Sequence, residues 1–354
     1  MKVLLISGSL PPTPCGVGDY ANQLYISLFT KAYSVKLFKI HSWKLINTWN
    51  VINAIVKEGP SLIHIQYPTL GYGYSLLPQL LSILFPSLVT LHEFSQAHIL
   101  RKLSLSLFTV RSILIFTTSH EQESFCKFYF WIKKDKTYVL PLGSSIKSNH
   151  DFKQKKIADP LIISYFGLIR PNKGIEDFIS LLDIYNKNTV TVKGRIIGKI
   201  LQSEIQYARK LQTITANLPI EWCLNKSESK VSDLLFETTF TYLPYPDGAS
   251  LRRSSLLAAL SHATFVITTK GSQTPSGLDG IVSYADSPQK AFMVLNGFDY
   301  TTSNAEVLVH RTKRFSLAFN WEIIAESHIK LYELVLQKGH NAKAIEDLHQ
   351  SSLS

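Results

Sequence analysis

A chain of 354 residues is long enough for two domains of ordinary size, and 45% hydrophobic with 18% charged residues is a globular composition that excludes a disordered protein. The formal charge of +11 is uneven: residues 1–150 hold 14 Lys and Arg against 6 Asp and Glu, while residues 151–354 hold 23 against 20, so the first half carries the field. Such a bias suits an anionic substrate or an anionic membrane surface, and with no zinc-finger spacing or aromatic-glycine RNA motif in the chain, nucleic acid is not the expected partner.

Lys2–Ser7 is a continuous apolar run, the pattern of a strand covered on both faces. It is too short for a secretory signal, so a cytoplasmic protein is expected. Cys15, Cys126 and Cys223, odd in number and far apart, agree with a reducing compartment and define neither a disulfide framework nor a metal site. A long loop, Gly8–Ala21, then leads into a helix at Asn22–Phe29. Within it Gly16-Val17-Gly18-Asp19-Tyr20-Ala21 matches G-x-G-x-x-A, the dinucleotide fingerprint whose glycines let backbone N–H groups approach a pyrophosphate. The true fingerprint follows its strand at once and has an acidic residue ~20 positions on. Here three prolines intervene and the second strand, Ser34–Ile40, ends near Lys39, which favours a glycine loop facing another anionic or sugar ligand.

Ser61–Pro68 and Ser87–Phe94 are short apolar strands that run into polar residues at their C-terminal ends, where ligands gather in open α/β sheets. His92 lies just past the second of these; it either hydrogen-bonds a substrate hydroxyl or phosphate, or is a satisfied structural histidine. The apolar stretches Leu76–Leu91 and Leu103–Phe116 are broken by Pro78, Gln79, Pro86 and Arg111. Neither supplies the ~20 uninterrupted apolar residues of a membrane span, so both are expected in the core. Ser112–Ser119 and Thr137–Leu140 are two more strands, and Ser148–Pro160, rich in Lys and Asp without apolar period, is the expected interdomain linker.

Leu161–Phe166 opens a second series: strand, the basic glycine turn Gly167–Gly174, and a helix at Ile175–Asp183. Val190–Ile197 with Gly198, Leu201–Asn217, Pro219–Cys223, Ser232–Glu237 and Phe240–Leu243 continue the alternation, giving two α/β domains in series. After Phe240–Leu243, Pro244 and Pro246 stop the strand, Asp247-Gly248 turns, and Ser250 is placed to cap a helix from Leu251 to Leu260. That puts Arg252 and Arg253 in the first helical turn, where the dipole disfavours cations unless an anion joins them. The pair is either part of a diphosphate site or two solvated arginines. Thr264–Thr269 is a further strand, and Trp321–Gln337 has the apolar period of one long final helix.

Four stretches together resemble a GT-B glycosyltransferase of the family-four, retaining, glycogen-synthase-like type. They are Pro11–Tyr20, Thr90-Leu91-His92-Glu93, Phe166–Gly174 and Leu243–Leu260. Asn320–His328 resembles the helix that in this family crosses back to the first domain. The resemblance implies two Rossmann-like doubly wound domains facing a cleft, with an acceptor domain at 1–150, a nucleotide-sugar domain at 151–319, and a helix at 320–338 packing on the first domain. It implies a hexose donor linked to UDP or GDP, a glycan or lipid-linked acceptor in polysaccharide or glycolipid synthesis, no further cofactor and no metal. His92 matches the cleft histidine near the donor sugar, Lys173 the diphosphate lysine, and Gly16 with Val17 the glycine loop over the phosphates. Arg170, Gly198, Asp247, Gly248, Ala249, Ser250, Arg252, Arg253 and Ser254 complete the donor-binding set. Two departures stand out: Leu168, not Arg, follows Gly167, with Arg170 as a stand-in, and the family's paired glutamates fall on Ser250 and Ala258.

A retaining transfer of this kind needs no protein base, because the leaving phosphate can take the acceptor's proton. An inverting one would use Asp19 or Glu93. A nucleotide-sugar-binding protein without catalysis and an NAD-type oxidoreductase are the competing classes. The basic first half, with Arg101, Lys102, Arg111, Lys127, Lys133, Lys134 and Lys136 among Leu, Phe and Trp, is either a surface that docks at the inner face of a membrane to reach a lipid-linked acceptor or an ordinary core with a solvated rim.

Overall fold

The computed structural model of the chain describes residues 2–337 apart from 14, 41, 149, 151–157, 189 and 299–301. Pro14 of the first glycine loop, much of the expected linker and residue 338 of the expected final helix lie outside the described residues. The chain divides into two compact units, Met1–Leu142 with Trp321–Ser354, and Gly143–Asn320. The division falls after Leu142 rather than at 150. Ile146 is already buried with Ile197, Val231 and Leu235, and Ser144 N–H donates to Phe319 O at 3.0 Å, so this short stretch packs within the second unit.

The first unit is built on six parallel strands: β1 (Val3–Ser7), β2 (Val35–Phe38), β3 (Leu62–Tyr67), β4 (Ser87–Leu91), β5 (Ile113–Phe116) and β6 (Thr137–Val139), in the order β2-β1-β3-β4-β5-β6. Side chains alternate across a strand, so the apolar runs divide between two layers. Leu4, Ile6, Ile63, Ile65, Val89 and Leu91 enter one core with Leu77 and Leu81 of the helix Leu77–Leu84. Val3, Leu5, Leu62, Leu88 and Ile115 enter the other, beneath the helices Gly16–Thr30 and Trp321–Gln337. Each aliphatic side chain buried in this way is worth about 1.5–3 kcal/mol. Ile324, Leu331 and Leu334 therefore seat the final helix on this sheet.

The second unit repeats the plan with β7 (Leu161–Ile169), β8 (Val192–Ile200), β9 (Ile220–Leu224), β10 (Phe240–Leu243), β11 (Phe265–Thr268) and β12 (Ser283–Tyr284), all pairs parallel, in the order β12-β11-β10-β7-β8-β9. Counted within the unit this is the doubly wound order of Rossmann-type sheets. Strand order reverses between β1 and β3 in the first unit and between β7 and β10 in the second. At such a switch the connections leave in opposite directions and open a crevice beyond the strand ends.

Three elements differ from the sequence expectation. The first helix begins at Gly16, not Asn22, so Gly16, Val17 and Gly18 form its first turn instead of an open loop. Gly18 has to be glycine there, since a Cβ would lie 2.5 Å from Ser9 O. The helix after β10 begins at Ser254 with Arg253 as its N-cap, so Arg252 and Arg253 precede the helix rather than occupy its first turn. Arg253 N–H donates to Ser250 O at 3.0 Å, closing a turn that uses up the residues expected to start the helix. Gly198 lies inside β8, which runs on to Ile200.

Candidate functional site

In the second unit the switch point is formed by the turns that follow β7 and β10. β7 extends through Ile169, so Arg170 is the first residue past the strand end. Asn172 and Gly174 then take positive φ (59° and 77°), reversing the chain into the helix Ile175–Lys187. A Cβ on Gly174 would stand 2.0 Å from Pro244 O, which shows how closely this turn lies against the end of β10. The Tyr165 hydroxyl donates to Lys173 O at 3.2 Å and fixes the turn from below.

The β10 turn is held as tightly. Gly248, at φ 88°, has its Cα where a Cβ would lie 2.4 Å from Gly271 N. Ala249 N–H donates to Thr269 O at 2.9 Å, and the Thr274 hydroxyl donates to Ala249 O at 2.7 Å. Arg253 is ion-paired with Asp247 and lies over the Tyr245 ring at 4.7 Å, while the Tyr245 hydroxyl meets Ser255 Oγ at 2.7 Å. Ser250 is buried, Arg252 half-buried, and Ser254 exposed at the helix start.

Charge is what joins the two turns. Burial lowers the Lys173 ammonium below its ordinary value, and the positive charges of Arg170 and Arg253 lower it further, with Asp247 acting the other way. Three cations and one carboxylate therefore share this end of the sheet, an arrangement that a bound polyanion relieves. Gly198 is not part of that convergence. It pairs in register with Gly167, and its missing Cβ would lie 2.1 Å from Gly167 O, so it allows β7 and β8 to approach.

In the first unit, two glycines mark the switch between β1 and β3. A Cβ on Gly71 would lie 1.7 Å from Gly8 O, one on Gly8 would strike Thr69 Oγ1 at 2.3 Å, and Gly71 N–H donates to Ser9 Oγ at 2.8 Å. The first helix starts beside them with Cys15 as its N-cap and no side-chain cap, leaving the N–H groups of its first turn, including those of Gly16 and Val17, to other partners. Asp19 is exposed in that turn.

His92 follows β4 directly and is 9% exposed. Its Nε2 is 2.9 Å from Gln66 Oε1, and its ring meets Tyr20 edge-on at 4.8 Å. The loop beyond it is pinned by Glu121, a fully buried carboxylate that accepts from Phe94 N–H at 2.6 Å, Ser95 N–H at 2.8 Å and Ser95 Oγ at 2.7 Å.

Sequence reasoning missed Tyr245, Glu121, and the pair His64 and Gln66. Two polar residues at i and i+2 of the buried strand His64-Ile65-Gln66 were the available signal, since they must share one face and find partners there.

The fold this geometry defines is GT-B, two doubly wound α/β units. The solved structures similar to the chain are of that kind. HepE from Anabaena in complex with UDP superposes with a TM-score of 0.68 at 14% identity, over 94% of this chain and 100% of that one. A glycosyltransferase from Rickettsia africae does so at 0.68 and 12%, over 95% and 98%. WaaG, a glycosyltransferase involved in lipopolysaccharide biosynthesis, gives 0.59 and 12%, over 94% and 99%. No family model and no curated protein matches the sequence.

Proposed function

We propose that this protein is a glycosyltransferase that moves a hexose from a nucleotide-sugar to a carbohydrate or lipid-linked acceptor, with retention and without a metal ion, in polysaccharide or glycolipid synthesis. The observation that carries the reading is the convergence of Arg170, Lys173 and Arg253 at the switch point of the second unit. Breaking a sugar–phosphate bond leaves a diphosphate whose growing charge is best stabilised by groups already aimed at it. Lys173 and the two arginines meet that need from the protein itself, which is the basis for assigning no metal. HepE's complex with UDP supports a uridine nucleotide as the first donor to try, with GDP-linked sugars next.

In the second unit Asp247, Gly248, Ala249, Ser250 and Ser254 are assigned to the donor; in the first unit the resemblance assigns the helix N-terminal N–H groups of Gly16 and Val17 to its phosphates and His92 to its sugar. In a retaining transfer the departing phosphate takes the acceptor's proton, and Asp19 is the base only if the reaction inverts. The absent glutamates at Ser250 and Ala258 favour, as a second reading, a nucleotide-sugar-binding protein without catalysis. The test is a thermal-shift screen of nucleotides, nucleotide-sugars and NAD(H), followed by product analysis with and without EDTA. Stabilisation by a nucleoside diphosphate and acceptor-dependent nucleotide release in EDTA are expected. Stabilisation by NAD(H) alone would overturn the reading, and nucleotide-sugar binding with no release for any acceptor would leave the binding protein.

The acceptor side is proposed to be a membrane surface at the inner face, with the protein cytoplasmic and peripheral. Among the described residues no helix is long and apolar enough to cross a membrane. Apolar side chains instead stand exposed among cations: Ile99, Leu100, Leu103, Phe130 at 83% and Trp131 at 57%, near Arg101, Lys102, Lys127 and Lys133. Tyr129 ties them together, its hydroxyl donating to Lys102 O and its ring meeting Trp131 at 5.3 Å.

A further inference from the structure

A row of polar side chains lies inside an apolar layer of the first unit: His64 and Gln66 from β3, Thr90 from β4, His92 just beyond it, and Tyr332 from the final helix. Such groups are tolerated when each is hydrogen-bonded, so the partners constrain where the protons sit. The Gln66 amide nitrogen is 3.0 Å from His64 Nε2, and its oxygen is 2.9 Å from His92 Nε2. An amide nitrogen only donates, so His64 Nε2 presents a lone pair; its proton is on Nδ1 and is given to the Tyr332 hydroxyl at 2.7 Å. An amide oxygen only accepts, so His92 carries its proton on Nε2. The Thr90 hydroxyl, 2.7 Å from His64 Nε2, donates to the same lone pair. A second proton on His64 would set N–H against N–H at Gln66.

We infer that Tyr332, His64 and Gln66 are positioning residues that lock His92 in its Nε2–H tautomer. For its catalytic consequence alone, this rests on the reading of the protein as a glycosyltransferase in which His92 meets the donor sugar. Burial, with the positive charge that His328 and His92 can carry, holds His64 well below its ordinary range and agrees with a neutral ring. Among the described residues, the other titratable groups seen against the row are Tyr20 of the first helix, edge-on to His92, Tyr33, whose ring is 5.8 Å from Tyr332, and His328 of the final helix, 5.6 Å from His64. His328 Nδ1–H donates to Ile324 O at 2.8 Å, and Tyr20 Oη lies 3.4 Å from its Nε2, so neither bond competes for His64. Tyr332 stands 268 residues from His64 in the chain, so seating the final helix sets the state of a histidine at the opposite end of the sequence.

Imidazole nitrogen NMR of the full-length 15N-labelled protein tests this, with His92→Asn identifying the His92 signals. The parent is expected to show His64 as neutral Nδ1–H and His92 as neutral Nε2–H at neutral pH. Tyr332→Phe removes the acceptor for the His64 proton. That proton moves to Nε2, where Thr90 accepts it, the Gln66 amide turns over, and His92 shifts to Nδ1–H or to an average of the two tautomers. Gln66→Glu acts in the other direction: a carboxylate accepts from both rings, so His64 changes to Nε2–H while His92 keeps Nε2–H, an outcome that general loosening does not produce. Should Gln66→Glu fail to fold, the conservative Tyr332→Phe decides alone. A His92 tautomer identical in parent and Tyr332→Phe, or a doubly protonated His64 in the parent, overturns the lock. With a donor that supports turnover, Tyr332→Phe is expected to lower kcat roughly 2- to 10-fold at unchanged donor KM, the effect of one hydrogen bond; unchanged kcat would overturn the positioning role. Absence of turnover with every donor would sink the proposed function and leave the spectra to judge the lock.

Discussion

Arg253 is held before any ligand arrives, paired with Asp247 and stacked on Tyr245, and its charge reaches Lys173. A preorganised cation loses little freedom on meeting a phosphate, and a hydrogen bond to a charged group is worth roughly 1.5–3 kcal/mol, or ~10- to 150-fold. Lys173→Ala and Arg253→Ala are each expected to weaken nucleoside diphosphate by that factor and leave the nucleoside unchanged, with Arg252→Ala weaker in effect; calorimetric titration of the two ligands checks it. Equal diphosphate affinity in parent, Lys173→Ala and Arg253→Ala would leave the turn a surface feature. The buried histidines predict a pH dependence of stability. Burial lowers His328 from 6.5 to about 4 and His64 in the same direction. Both fold as neutral rings, so the unfolded chain binds more protons below pH 6.5: their stabilisation is full above that value and is lost as pH falls toward 4. For His328 alone the shift corresponds to something on the order of 3 kcal/mol. Denaturant titrations at pH 7 and 5 should show a lower midpoint at pH 5, and His328→Gln should flatten the slope.

At the scale of elements, the site depends on two turns that only glycine allows to meet. Gly174 combines positive φ with a backbone carbonyl where its Cβ would be, so Gly174→Ala meets both backbone strain and a collision with Pro244. Strain of the first kind alone is ~1–3 kcal/mol. Gly174→Ala is therefore expected to destabilise the protein by more than about 2 kcal/mol and to reduce diphosphate affinity, read by urea unfolding and titration together. Gly280, also at positive φ, has nothing within 4 Å of its Cβ position and serves as the control for φ without collision. The first helix depends on a glycine in a related way: Gly16 through Ala21 matched a loop motif, yet the run is helical because Gly18 lets the first turn lie on Ser9.

At the scale of the whole molecule, the net charge of +11 and the exposed apolar residues near Lys102 predict reversible attachment to anionic lipid. Each Lys or Arg near such a surface contributes ~1 kcal/mol, and the attraction is screened by salt. Flotation with vesicles containing phosphatidylserine should carry the protein at low salt, less of it at high salt, and still less of a Phe130→Ser, Trp131→Ser variant. Failure to float at low salt would remove the membrane from the proposal.

What the sequence determined by itself is the list of elements and their class. Continuous apolar runs such as Val3–Ser7 and Phe240–Leu243 had to be strands covered on both faces, and their alternation with helices left little room for anything but parallel α/β sheets. Lys173, Arg170 and the arginine pair were visible for the same reason, as cations beside glycine turns at strand ends. The tertiary structure decided which of them meet. Lys173 and Arg253 come together because β7 and β10 are neighbours, a fact of strand order that no local pattern carries. It also made Arg253 the N-cap and left Arg252 ahead of the helix, because the Arg253 N–H bonds Ser250 O instead of joining a first helical turn. The protons of His64 and His92 are set by Tyr332, a partner reached only when the final helix lies on the first sheet, and hydrogen-bond direction through a buried row is a property of the packed layer, not of any segment.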